Sequence, residues 1–122
     1  MIYPEHYSSL GGILCDAMIQ YKTDTALIED NRKREQLRLS YREFRQAALG
    51  LASAMQQHSI AADSRVAILM SNQSKWLISA YAALYRGAIL VPLDYKLTAS
   101  EHEALLQHAK PQALIVEYPL WR

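Results

Sequence analysis

Three observations predict an α/β fold: a mostly parallel sheet with flanking helices, built from βαβ units, plus a short N-terminal hairpin. First, the apolar runs 66–70 (VAILM) and 89–93 (ILVPL) are bounded by polar residues and too short for helices. Each reads as a strand buried on both faces. Second, the residues between them, from Lys75 to Arg86, are nearly all apolar or good helix formers, and Gly87 supplies a stop. Third, the pattern recurs, because a capped helical stretch leads into a further apolar run at 113–116. Strand, helix, strand over some thirty residues defines a parallel pair with a right-handed crossover.

Taken in order, residues 1–24 hold an N-terminal helix. Leu10, Ile13, Leu14, Ala17, Met18 and Tyr21 recur at helical spacing behind Ser8 or Ser9, and Gly11 and Gly12 weaken the first turn. Residues 25–39 form the hairpin, with strands at 26–29 and 36–39 around a polar tip at 30–34. Residues 40–122 form an αβαβαβ unit. Ser40 with Glu43 makes a capping box, and Phe44, Ala47, Ala48, Leu51 and Met55 make the buried stripe behind it, leaving Arg42, Arg45, Gln46 and Gln57 in water. The first buried strand follows a loop at 58–64. Ser71, Asn72 and Ser74 then offer oxygen atoms to the free N–H groups that open the central helix. That helix carries apolar residues around most of its circumference, so it is expected to be covered on more than one side. In the second buried strand Pro92 lies near the end, where a missing donor is tolerated. Thr98 with Glu101 repeats the capping box ahead of His102, Leu105, Leu106 and Ala109, and Pro111 precedes the last strand.

That last strand has no helix after it in this reading, and Leu120 and Trp121 are left without a packing partner. An open sheet edge needs cover. The expectation is a fragment of a larger domain, its edge covered by the remainder of its own chain or by a second copy.

Composition narrows the classes. With 122 residues, 51% hydrophobic and 20% charged, the chain supports a real core. A formal net charge of +1 gives no long-range pull toward nucleic acid. The only basic cluster, between Arg32 and Arg45, is interleaved with Glu29, Asp30, Glu35 and Glu43, which is the pattern of a solvated hairpin tip. One cysteine, Cys15, excludes an internal disulfide and suits a reducing compartment. The start lacks a secretory signal and no apolar run is long enough to span a bilayer, so a cytoplasmic location is the expectation.

The search for chemistry yields little. The four glycines form no phosphate loop, no serine sits in a nucleophile elbow, and the four histidines lack ligand spacing. Cys15 has no basic neighbour in sequence, which favours an inert thiol. Asn72 lies in the turn after a buried strand, where open α/β sheets bind ligands; plain helix capping is its other role. On the residues alone no catalytic group is assigned.

From Leu39 onward three consecutive segments resemble the N-terminal part of the AMP-forming acyl-activating enzymes, the superfamily of acyl-CoA synthetases, luciferase-like enzymes and peptide-synthetase adenylation domains. LSYREFRQAALGLASAMQ is similar to the family's "LTYxEL…A…LA" helix, and SRVAILMSNQSKWLISAYAALYRGAILVPLD to its "DRVAILLPNSxEWxxAxLAxLxAGAVxVPL" unit. KLTASEHEALLQHAKPQALIV resembles the helix and strand that follow. Ser71 stands where the family usually has Pro, and Asp63-Ser64 where it has Gly-Asp, departures that alter turns rather than catalysis. The resemblance implies ATP, magnesium and CoA for a full-length ligase acting on a carboxylic acid, expected to be a fatty acid. The phosphate loop, magnesium-binding glutamate and catalytic lysine would lie downstream, so no cofactor is expected to be complete within this segment. It also implies a CoA-phosphate role for a basic residue near the "GA" pair; Tyr85 occupies that place and Arg86 follows it. The isolated chain is expected to be inactive. A free-standing scaffold or interaction module and a small nucleotide-binding α/β protein are the alternatives.

Overall fold

The two apolar runs that bracket the central helix lie side by side in parallel in the computed structural model, which describes residues 2–121. After a single 3-10 turn at Pro4–His6 come α1 (Leu10–Gln20), β1 (Thr25–Asn31), β2 (Arg34–Ser40) and α2 (Tyr41–Gln57). Then follow β3 (Arg65–Leu69), α3 (Ser74–Tyr85), β4 (Ile89–Leu93), α4 (Ala99–Ala109), β5 (Ala113–Val116) and the one-turn α5 (Tyr118–Trp121). β1 and β2 form an antiparallel hairpin, and the other sheet has the order β4-β3-β5 with both pairings parallel.

β3 is the centre of the sheet, and its alternation divides the core. Val66 and Ile68 point to one face, where Val66 packs with Phe44 and Met55 of α2 and with Tyr81, Ala82 and Ala83 of α3. Ala67 and Leu69 point to the other, beside Leu93, Leu106 of α4, Leu114 and Leu120. The chain steps from β3 to β4 through α3, then back past β3 to β5 through α4. Crossovers of one hand that reverse direction put their helices on opposite faces, and α3 and α4 lie so. This reversal makes the carboxyl ends of β3 and β5 the switch point of the sheet.

Local chemistry explains the element ends. Ser40 and Thr98 each accept from the backbone N–H three residues on, while Glu43 and Glu101 reach back to the cap residue's own N–H; both capping boxes are complete. α3 ends where Gly87 takes φ +72°, a conformation glycine adopts without a Cβ penalty. Asn31 Oδ1 accepts from the N–H groups of Lys33 and Arg34, which tightens the hairpin to a two-residue tip, shorter than the polar stretch suggests.

Several sequence expectations are corrected. In α2, Ala47 is exposed and Ala52 is buried in its place, because the helix turns Phe44, Ala48, Ala52 and Met55 toward α3 and the sheet. In α1, Leu10 and Tyr21 stay exposed while Gly11 and Met18 are buried. Gly11 is the contact residue: a Cβ there would stand 2.6 Å from the Leu84 carbonyl oxygen and 3.1 Å from the Tyr85 Cα. Its cost to helix propensity is therefore the condition for α1 to lie against the end of α3. No residue of α4 is buried; Leu106 alone of its stripe meets the core beneath it, and Leu105 is exposed. β5 is half-buried along its length, and a helical turn does follow it, bringing Leu120 onto the Ala67–Leu69 face.

Two glycine substitutions separate these effects. Gly50→Ala meets nothing within 4 Å and should stabilise the chain by about 0.5–1 kcal/mol. Gly11→Ala meets fixed backbone and should destabilise it by about 1–3 kcal/mol despite the better helix former. Urea unfolding measures both; equal stabilisation by the two alanines would refute the close approach of α1 to α3.

Candidate functional site

The switch point is assembled from residues remote in sequence. After β3 the chain runs through Ser71, Asn72 and Gln73 into α3, and the first turn of that helix carries N–H groups with no intrahelical partner. The expectation that Ser71, Asn72 and Ser74 supply the caps is not met, for the N-cap position falls on Gln73, whose side chain makes no cap bond. Two distant carboxylates bond the backbone here, one capping the helix and one holding the turn before it. Glu29 of β1 accepts from the Ser74 N–H at 2.5 Å, and Glu117, just past β5, accepts from the Ser71 N–H at 2.7 Å. The second oxygen of Glu117 accepts from the Gln73 amide at 2.9 Å, and that amide also reaches Ser71 Oγ. The Glu117 N–H donates to the Leu69 carbonyl, which ties the end of β5 to the end of β3.

The electrostatics follow. Hydrogen bonds from the side chain and backbone of Ser74, assisted by Lys75, hold the Glu29 carboxyl below the usual range. Hydrogen bonds from Ser71 and Gln73, again with Lys75 nearby, do the same for Glu117. Both groups are ionised at neutral pH and committed as acceptors at a helix N-terminus, where negative charge is favoured. They are not general acids or bases.

Two open grooves flank this turn. One, of about 510 Å³, lies between the hairpin and α3 and is bounded by Leu27, Ile28, Asn72, Trp76 and Leu77. The other, of about 350 Å³, lies over the ends of β3 and β4 and is bounded by Asn72, Trp76, Pro92, Asp94, Tyr95 and Lys96. Asn72 and Trp76 border both. Asp94 Oδ1 accepts from the Lys96 N–H, and the Lys96 ammonium sits 5.8 Å from the centre of the Tyr95 ring. These groups can bind and orient; no nucleophile paired with a base is among them.

Arg86 stands at the opposite end of α3, roughly 18 Å from Asn72 along a 12-residue helix. Its Nη2 donates to the Ile60 carbonyl at 3.0 Å and its Nε is buried without a partner. The two residues singled out from sequence are therefore not brought together. Of the histidines, His102 donates from Nε2 to the Asp94 carbonyl at 2.7 Å. Among the described residues no three His, Cys, Asp or Glu side chains group as metal ligands, and no helix is long and apolar enough to cross a membrane.

A second cluster escaped the sequence reading. Arg45, expected in water, turns inward, and Cys15 of α1 lies beside its guanidinium and beside Tyr81 of α3. Arg45 Nε and Tyr81 Oη are both buried and neither completes a hydrogen bond. Burial first, and then Cys15, push the Tyr81 phenol well above its ordinary value, so it remains a protonated donor. An orphan donor of this kind costs about 1–3 kcal/mol. No local signal could have found this trio, because its members come from three helices.

With the geometry in view, the chain can be set beside known proteins. A model of the family described as AMP-binding enzyme matches residues 16–121. The chain belongs to that family. It is 26% identical over 117 residues to the phosphinothricin tripeptide synthetase PhsC of Streptomyces viridochromogenes, covering 96% of this chain and 10% of that protein. To the indoleacetate–CoA ligase of Aromatoleum aromaticum it is 35% identical over 79 residues, covering 65% of this chain and 16% of the ligase. Among solved structures, the N-terminal subdomain of Klebsiella oxytoca NpsA superposes with a TM-score of 0.81 at 22% identity, over 92% of this chain and 28% of that one. The luciferase-like enzyme of the nonluminescent Zophobas morio mealworm gives 0.83 at 22% identity, over 93% and 26%. The chain thus spans about a tenth of the tripeptide synthetase and about a quarter of these two structures. The predicted fold class and the resemblance both stand.

Glu29→Ala should cost what loss of a helix cap costs, about 0.5–2 kcal/mol, and Glu117→Ala should cost about 0.5–1.5 kcal/mol through its lost hydrogen bonds. Because both pKa values lie below the ordinary 4.5, the stability they contribute is fully present above pH 4.5 and drains as pH falls through the depressed values. Acid titration of folding should therefore be shallower below pH 4.5 in the double alanine variant. An unchanged slope would contradict the capping role.

Proposed function

We propose that this chain is the N-terminal scaffold segment of a longer acid–thiol ligase that uses ATP to turn a carboxylic acid into an acyl-adenylate and passes the acyl group to CoA. The observation that carries this reading is the match to the AMP-binding enzyme family over residues 16–121. CoA as acceptor is supported by the indoleacetate–CoA ligase, and by a second relative named as a CoA ligase, from Rhodococcus jostii, at 29% identity. A fatty acid as substrate is supported by a 25% identical Arabidopsis thaliana relative named as a long-chain-fatty-acid ligase. That relative's named partner is an acyl-carrier protein, and with the peptide-synthetase relatives it supports a carrier thiol as the alternative acceptor.

ATP and magnesium do not fit the residues of this segment. None of its four glycines forms a phosphate cradle, and its two strand-end glutamates are already engaged as caps. No step through those groups is assigned to it. Asn72 contributes a wall of the strand-end grooves in this reading. Contact between Arg86 and a CoA phosphate rests on the resemblance alone, and the bond to Ile60 supports instead a role in holding the loop 58–64. Cover for the β5 edge from the remainder of a longer chain is supported by the half-buried strand and by the exposed Trp121.

The chain alone, incubated with ATP, magnesium, CoA and a panel of fatty acids, should yield neither acyl-adenylate nor acyl-CoA. A polypeptide extended by its downstream coding sequence should release pyrophosphate with at least one acid. Product from the chain alone, or none from the extended polypeptide with any acid, would overturn the proposal.

A further inference from the structure

The ligase reading makes no use of Cys15, Arg45 and Tyr81. Three helices converge there: Cys15 from α1, Arg45 from α2, Tyr81 and Tyr85 from α3. Tyr81 is only 3% exposed, and its hydroxyl is buried without a completed hydrogen bond. Arg45 Nε is enclosed in the same way. Cys15 itself is half-buried. The nearest carboxylate on its own helix, Asp16, is occupied in accepting from the Tyr7 hydroxyl at 2.7 Å. The thiol is thus flanked by two buried donors that lack an acceptor, one of them belonging to a permanent cation, Arg45.

A thiol is a poor acceptor, whereas an oxygen bound to sulfur is a good one. We infer that Cys15 is an oxidation site, at which a hydroperoxide converts the thiol to a sulfenic acid whose oxygen accepts from Arg45 and Tyr81. The deprotonated sulfur attacks the terminal peroxide oxygen; the S–O bond forms as the O–O bond breaks, and the other oxygen departs, with the proton the thiol released, as water from hydrogen peroxide or as an alcohol from an organic hydroperoxide. Sulfur loses two electrons and the peroxide gains them. Arg45 lies beside the sulfur during attack, and the added oxygen completes the buried donors.

With one cysteine in the chain, a sulfenic-acid-trapping dione read by mass spectrometry reports this site alone. Hydrogen peroxide should modify Cys15 in the folded chain about ten-fold faster than in the chain unfolded in urea, and Arg45→Met should lose that advantage while Arg45→Lys keeps part of it. A folded rate equal to or below the unfolded one, or an undiminished rate in Arg45→Met, overturns the inference. A second readout does not depend on the Arg45 variants folding. Oxidation should leave the thermal midpoint of the wild-type chain unchanged or raised, and should lower it in Tyr81→Phe; equal losses in both would show that the hydroxyl does not receive the new oxygen.

Discussion

Two carboxylates hold the turn that leads into α3, and the arrangement of the layers depends on them. Glu29 arrives from the hairpin and Glu117 from the far side of the sheet, and both end on N–H groups of the turn 71–74. A helix N-terminus is electropositive and short of acceptors. Satisfying it from two separate elements turns a local deficit into a tertiary fastening. The hairpin would otherwise touch the body mainly through apolar residues such as Leu27 and Leu39. β5 is fastened twice, by Glu117 at one end and at the other by Gln112, whose side chain and backbone both bond the backbone of Arg65.

Close packing of small residues does the rest. Ala48 and Ala52 of α2 and Ala82 and Ala83 of α3 are almost wholly buried, with Val66 of β3 beneath them. Gly11 extends the same principle to α1 by meeting α3 backbone to backbone. One consequence is a polar seam at the three-helix junction. The half-buried Arg45 and the buried Tyr81 each carry an unsatisfied polar atom there, and Cys15 is the group they face.

What was legible in the sequence were features whose cause is local. VAILM and ILVPL are strands because a short apolar run needs cover on both faces, and Ser40 with Glu43 or Thr98 with Glu101 can bond each other at a separation of three residues. The hidden features depend on tertiary neighbours. Ser71 and Ser74 look like caps until carboxylates from 46 and 45 residues away arrive in their place. Gly11 reads as a weak helix residue until Leu84 is found against it. Arg45 reads as a surface residue until the rotation of α2 that buries Ala52 rather than Ala47 carries it inward. The position of Asn72 in a strand-end turn was legible because such turns have a fixed place in this architecture, while Glu29, Glu117 and Lys96 join it only through the sheet's topology.

The measurement that bears most directly on this account is amide hydrogen exchange at Ser71 and Ser74, followed by NMR at neutral pH. Both N–H groups should be protected, with Ser71 released selectively in Glu117→Ala and Ser74 selectively in Glu29→Ala. Exchange of either amide at the rate of an unstructured peptide in the wild-type chain, or equal release of both in each variant, would contradict it.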